Sequence, residues 1–280
     1  MLRNVTPKAK KPVVVMLHGS GSSGAILSIQ THLLAKELSK TFDLVFLDAP
    51  IPSDPGPGVL PLFADMPGYY RWLAPAHVQL SQTLRLIELF DAARHIQSRL
   101  EAQNVNPQQV TAMLGFSQGA LVAQAMLGLR LVGQSVWDNL RFCVAIGSGT
   151  TGNTMQMEGV QNMVGTLSAM MGRKDGKFPG YSVHATGLQD LWYKDGKRIA
   201  KMCVPEKTRA MDYPDGHVVP RRPAEVRRLL HAIQQIDAAS RNDPNATRPP
   251  VVESMPSILA GGNITEGLAV LAANGIPIQG

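Results

Sequence analysis

The segment Gly115-Phe116-Ser117-Gln118-Gly119 places a serine between two glycines. A β-rich run, Val110–Leu114, leads into it, and an apolar helical pattern, Ala120–Leu131, follows. G-x-S-x-G between a strand and a helix is the pattern of an activated serine nucleophile. The serine occupies a sharp turn, and small neighbours let strand and helix approach without a clash. The helix N-terminus below offers N–H groups and a positive dipole end to an anionic intermediate.

A serine hydroxyl needs a base, and the base needs an orienting acid. In sites of this kind the chain order is Ser, then Asp or Glu, then His. Three histidines follow Ser117: His184, His217 and His231. His184 falls inside an expected strand, and His231 on a solvated helix position. His217 lies in the turn-rich stretch YPDGHVVP, between an expected strand and the last helix, and is the expected base. Asp190, in HATGLQD just beyond another strand, is the expected acid. Asp195, Asp212 and Asp215 are its rivals: the first faces water, and the other two flank the histidine loop.

A second glycine stretch, VVVMLHGSGSSGAIL from Val13 to Leu27, has two readings. Gly19, Gly21 and Gly24 match G-x-G-x-x-G, and Asp48 stands where a ribose-binding acid would. A dinucleotide loop leaves Ser117, Asp190 and His217 unexplained, however, and would begin at glycine rather than at His18. As a loop beside the nucleophile, the same stretch supplies one oxyanion N–H from Ser20. Gln118, the residue after the serine, supplies the other. His18 is then a hydrogen-bonding loop residue and Asp48 an anchor for the turn into Ala49-Pro50. No H-E-x-x-H, C-x-x-C or P-loop is present, so neither a metal nor another cofactor is expected.

The elements that must position these groups alternate along the chain. Apolar runs at Val13–Leu17, Leu44–Leu47, Val110–Leu114, Phe142–Ile146, Tyr181–Ala185 and Thr208–Met211 read as strands covered on both faces. Between them lie helical patterns at Ala25–Leu38, Ser81–Leu100, Ala120–Leu131 and Pro223–Ala239. The first carries Ile26, Ile29, Leu33, Leu34 and Leu38 on one face. The expectation is an α/β fold with a mainly parallel central sheet and helices on both faces. It occupies residues 12–239, after a basic extension (1–11) and before a Gly/Ala-rich tail (240–280). Residues 50–75 and 147–179 interrupt the alternation and are expected to be substrate loops or lids. In the first of these, Leu60, Leu62, Phe63, Tyr69, Tyr70 and Trp72 are candidate acyl contacts, or pack the loop down.

The chain has 280 residues, 44% of them hydrophobic, which suits one large core without disulfide staples. Two cysteines, Cys143 and Cys203, make no disulfide framework and read as buried hydrophobes in a reduced setting. The formal charge is +6. Its clusters, Lys8-Lys10-Lys11, Arg221-Arg222 and Arg227-Arg228, lack interleaved aromatics. They read as solvated surface compatible with an acidic partner, not as a nucleic-acid site. The opening MLRNVTPKAKKP lacks the apolar core of a secretory signal, and no window reaches the ~18 apolar residues of a membrane span. A cytoplasmic location is expected.

The segments MLHGSGSSG, FDLVFLDAP, GPGVLPLF, YYRW, LGFSQGA, GLQD and DGHVVP together resemble the fungal FSH-type serine hydrolases of the α/β-hydrolase superfamily. The resemblance spans Pro12 to about Ile236. It maps the triad onto Ser117, Asp190 and His217, with Leu191 where a proline is expected. It implies esterase chemistry on a small acyl substrate, and specifically a thioesterase releasing or editing a chain on an acyl carrier domain of a polyketide synthase. A short-chain carboxylesterase, an acyl-transferring cyclase and a non-catalytic binding protein are the alternatives.

Overall fold

The computed structural model describes residues 11–75, 78, 80, 82–133, 136–149 and 154–247. The first strands are β1 (Val13–Leu17), β2 (Asp43–Leu47) and the short pair β3 (Ile51–Pro52) and β4 (Tyr70–Arg71). They are followed by β5 (Val110–Phe116), β6 (Phe142–Ile146), β7 (Tyr181–Gly187) and β8 (Thr208–Tyr213). Six of them form a parallel sheet in the order β2-β1-β5-β6-β7-β8. β3 and β4 pair separately and antiparallel.

The main strands are apolar runs because helices cover both faces. On one side Val13, Val15 and Leu17 pack with α3 (Gln82–Ala102), α4 (Gln118–Leu131) and α5 (Thr154–Met170). On the other, Val14 and Met16 pack with α1 (Gly24–Gln30), α2 (His32–Leu38) and α7 (Pro223–Arg241). The α/β architecture expected from the alternation is therefore the one observed. Its order also creates a switch point. From β1 the chain steps out to β2, then returns to β5 on the other side, and Leu17 pairs with Gly115. The loops leaving the carboxyl ends of β1 and β5 thus meet, where open α/β sheets bind ligands.

One local expectation is corrected, and two stretches carry helices that the sequence pattern did not mark. The single helix over Ala25–Leu38 is two, broken at Thr31, whose hydroxyl donates to the Leu27 carbonyl at 2.7 Å. The break turns Ile29 and Leu33 outward, 53% and 39% exposed, while Ile26, Leu34 and Leu38 stay buried. The stretch 147–179 is not a simple loop. It contains α5, which buries Met157, Val164 and Leu167 against the body. Helical structure also continues past residue 239. α7 runs to Arg241, a short α8 (Pro244–Thr247) follows, and Asp243 accepts hydrogen bonds from Tyr181 and Lys207 at 3.1 and 2.8 Å. Most of the basic extension and of the tail lies outside the described residues.

Both cysteines are buried and free, and burial raises their thiol pKa, Cys203 to about 11. None of the described helices is long and apolar enough to cross a membrane.

Leu229 on α7 is fully buried against the sheet. Leu229→Ala should lower the unfolding free energy by about 2–5 kcal/mol, read by urea denaturation. A loss below about 1 kcal/mol would contradict the packing described.

Candidate active site

Ser117 sits between β5 and α4 with φ 55° and ψ −119°. Such a backbone persists only where its surroundings hold it. Its N–H donates to the Ile146 carbonyl of β6 at 2.9 Å. The flanking glycines are required by close approach. A Cβ on Gly115 would lie 2.0 Å from the Gly119 carbonyl oxygen, and one on Gly119 would lie 2.2 Å from that of Leu17.

β7 and β8 end beside this turn. Gly187 closes β7, and a Cβ there would lie 2.3 Å from the Gly216 carbonyl oxygen, so the two following loops are in contact. Leu188 N–H donates to Tyr213 and Gln189 N–H to Asp215, which fixes their register. The result joins three residues far apart in sequence. His217 Nδ1 donates to Asp190 Oδ2 at 2.8 Å, and His217 Nε2 accepts from Ser117 Oγ at 2.9 Å. The other Asp190 oxygen accepts from Trp192 N–H at 2.9 Å. The Asp190 side chain is only 1% exposed, so its interaction with the imidazole is little weakened by water.

Aromatic rings hold the imidazole in place. Trp192 meets it edge-on with centroids 4.3 Å apart, and Phe116 tilts against it at 4.9 Å. Gly147, at φ 57°, leaves room that a Cβ would take, 3.3 Å from the His217 ring. Trp192 is not among the candidate residues named from the sequence; its signal there is an aromatic placed two residues after the acid. The rival carboxylates are engaged elsewhere: Asp212 with Lys197 and Tyr193, Asp215 with Arg222. His184 is buried in the sheet and His231 exposed on α7, as expected.

The loop after β1 lies against the serine: a Cβ on Gly19 would be 3.1 Å from Ser117 Cβ. His18 Nδ1 donates to the Gly19 carbonyl at 2.7 Å, and its Nε2 accepts from Ala49 N–H at 2.9 Å. Both ring nitrogens are committed within the protein, and burial lowers the pKa of His18 to about 4. Asp48 takes a different partner from the one expected: Oδ1 accepts from Gly24 N–H at 2.8 Å, in the first turn of α1. Among the described residues neither Ser20 N–H nor Gln118 N–H donates to a protein acceptor. Oxyanion donors must be left unpaired in this way.

Residues 50–75 form a strap across this loop. Gly21 N–H donates to the Tyr70 carbonyl, and Gly56 N–H to that of Gly21. The Gln118 side chain ties the strap to the serine turn, its Oε1 accepting from Trp72 N–H at 2.7 Å and its Nε2 donating to Leu73 O at 3.1 Å. This role of Gln118 was not legible in the sequence. The six candidate acyl contacts are divided between core and surface. Trp72 is 1% exposed and its indole N–H donates to the His18 carbonyl at 2.9 Å, so it is a tether inside the core. Phe63 is buried with Ile26 and Val59; Tyr69 packs beside them and donates to the Phe63 carbonyl at 2.8 Å. Tyr70 is half-buried against the main core. Leu60 and Leu62 remain exposed.

A family profile described as serine hydrolase (FSH1) matches residues 6–229. The chain belongs to the FSH1 serine hydrolase family. It is 24% identical over 245 residues to esterase mlcF of Penicillium citrinum, covering 84% of this chain and 94% of that one. It is 27% identical to thioesterase FSL2 of Gibberella zeae, over 69% of this chain and 78% of the relative. Over 129 residues, 44% of this chain and 50% of the relative, it is 34% identical to the dihydromonacolin L-[lovastatin nonaketide synthase] thioesterase of Aspergillus terreus. In fold it is similar to the crystal structure of esterase PE8, with a TM-score of 0.52, 20% identity and coverage of 81% and 94% of the two chains. The Zea mays acyl-protein thioesterase 2 gives a TM-score of 0.51 at 17% identity, covering 83% and 97%.

Trp72→Phe keeps a ring in the core but removes the donor to His18. Turnover should fall about tenfold, with KM little changed, through loosening of the loop that carries Ser20. Unchanged turnover would detach the strap from catalysis.

Burial holds His18 and His184 near pKa 4, against 6.5 in the unfolded chain. As pH falls below 6.5 the unfolded chain takes up protons first, so stability should drop between pH 6.5 and 4. Urea midpoints at pH 7 and pH 5 read this directly; equal stability at both would contradict it.

Proposed function

We propose that this serine hydrolase cleaves an acyl thioester through an acyl-serine intermediate. In this reading it releases or edits a polyketide or related acyl chain held on an acyl carrier in secondary metabolism. The observation that carries the reading is the line of hydrogen bonds from Asp190 through His217 to Ser117. Ser117 Oγ attacks the acyl carbonyl while His217 Nε2 takes its proton, and Asp190 holds the tautomer and stabilises the imidazolium. Ser20 and Gln118 N–H groups receive the oxyanion. His217 returns the proton to the departing thiolate. Water, deprotonated by His217, then attacks the acyl-serine, and the carboxylic acid leaves.

The relatives named as thioesterases support the choice of thioester, and Leu60 and Leu62 offer apolar surface to the acyl chain. A short-chain carboxylesterase is the second reading. It is favoured by the relative named only as an esterase, whose length the chain covers almost entirely. The two free thiols suit a cytoplasmic setting.

Matched acyl thioesters and oxyesters of increasing chain length, with wild-type protein and Ser117→Ala, test the reading. Thioester hydrolysis should exceed oxyester hydrolysis and fall at least ~10³-fold in the variant. Better turnover of short oxyesters would select the carboxylesterase, and activity retained by Ser117→Ala would overturn the acyl-serine route.

A further inference from the structure

The helix that follows the acid loop, α6 (Tyr193–Lys201), has two unlike faces. Gly196 and Ile199 are buried; a Cβ on Gly196 would lie 2.9 Å from the Ser148 carbonyl oxygen, so this face is pressed onto the body. Opposite them stand Lys194, Arg198 and Lys201, all exposed. Their i, i+4, i+7 spacing aligns them in one stripe. Among the described residues none of the three pairs with a carboxylate; Arg198 donates to the neutral Gln161 at 3.1 Å. Lys197, on the flank, is instead paired with Asp212, and Asp195 lies about 100° round the helix from Lys194.

Helix stability does not account for the stripe. Arg198 and Lys201 suit the C-terminal turn, but Lys194 lies in the first turn, where a cation opposes the helix dipole. The surrounding segment also carries an excess of positive charge. Between Arg173 and Lys207 there are eight Lys or Arg against four Asp or Glu, while the whole chain's excess is six.

The stripe begins two residues beyond a ring that packs on the candidate base. Trp192, immediately before α6, is the residue whose ring meets His217. In the same loop Leu188 and Leu191 are 53% and 90% exposed. Apolar side chains bordered by unpaired cations make a surface for a protein of opposite charge. A small free ester needs no such surface, whereas a substrate tethered to a protein must have its carrier held beside the serine.

We infer that Leu188, Leu191 and the Lys194–Arg198–Lys201 face of α6 form the docking surface for an acidic carrier protein that delivers the acyl thioester. This rests on the thioesterase reading above. The apolar pair meets the carrier close to its tether, and the cations meet its acidic surface and speed encounter.

Two probes separate the inference from the reading beneath it. One is a hexanoyl thioester on the phosphopantetheine arm of an acyl-carrier domain of net negative charge. The other is the same hexanoyl group on N-acetylcysteamine. In the triple variant Lys194→Glu, Arg198→Glu, Lys201→Glu, kcat/KM for the carrier substrate should fall about tenfold or more, through KM. The free thioester should be turned over within twofold of wild type, which also shows that the variant is folded. Added salt should depress the wild-type carrier reaction and leave the variant's nearly flat. Equal carrier kinetics in wild type and variant, with the free thioester hydrolysed, would overturn the docking surface alone. Wild-type hydrolysis of neither probe would overturn the thioesterase reading and the docking surface with it.

Discussion

The geometry of the site depends on one backbone turn. Ser117 stands at φ 55°, a region that costs about 1–3 kcal/mol for a residue with a side chain. The sheet supplies what holds it there. β1, β5 and β6 are fully buried parallel neighbours, Ile146 accepts the Ser117 N–H, and Gly115 and Gly119 have no Cβ to force strand and helix apart. With the turn fixed, the hydroxyl, the N-terminus of α4 and the loop after β1 are fixed relative to one another. The catalytic reading is therefore a consequence of packing as much as of side-chain chemistry.

The remaining groups are fastened to that turn from two sides. From β7 and β8 come the acid and the imidazole, their loops joined at Gly187 and Gly216 and the imidazole boxed by Trp192 and Phe116. From the other side comes the strap. Gln118 therefore serves twice: its backbone N–H is left without a protein acceptor among the described residues, while its side chain grips Trp72 and Leu73. Trp72 in turn grips His18 at the start of the other oxyanion loop. Both proposed donors are thus tied to the same short piece of chain. The far end of the strap is anchored as well, since Ala74 N–H donates to Glu88 of α3 at 2.7 Å.

The strands and the Ser117–Asp190–His217 constellation were readable in the sequence for a common reason. Parallel strands covered on both faces are unbroken apolar runs, and loops at their carboxyl ends converge whatever lies between. What was not readable depends on contacts between distant segments. Thr31 is compatible with a helix interior, so the break between α1 and α2 carried no local signal. Gly159 and Gly165 made α5 resemble a loop, although its apolar side chains had a core to meet. An aromatic such as Trp72 can line a cavity or plug a core. Only the course of the strap over His18 decides which, and sequence periodicity does not encode that course.

The chemistry proposed for this site rests on Ser117 as its nucleophile. Reaction with a fluorophosphonate, followed by intact-protein and peptide mass spectrometry, addresses it without any assumption about substrate. A single adduct on Ser117 is expected, formed slowly or not at all in His217→Ala. Labelling of another residue, or no labelling of folded wild-type protein, would contradict it.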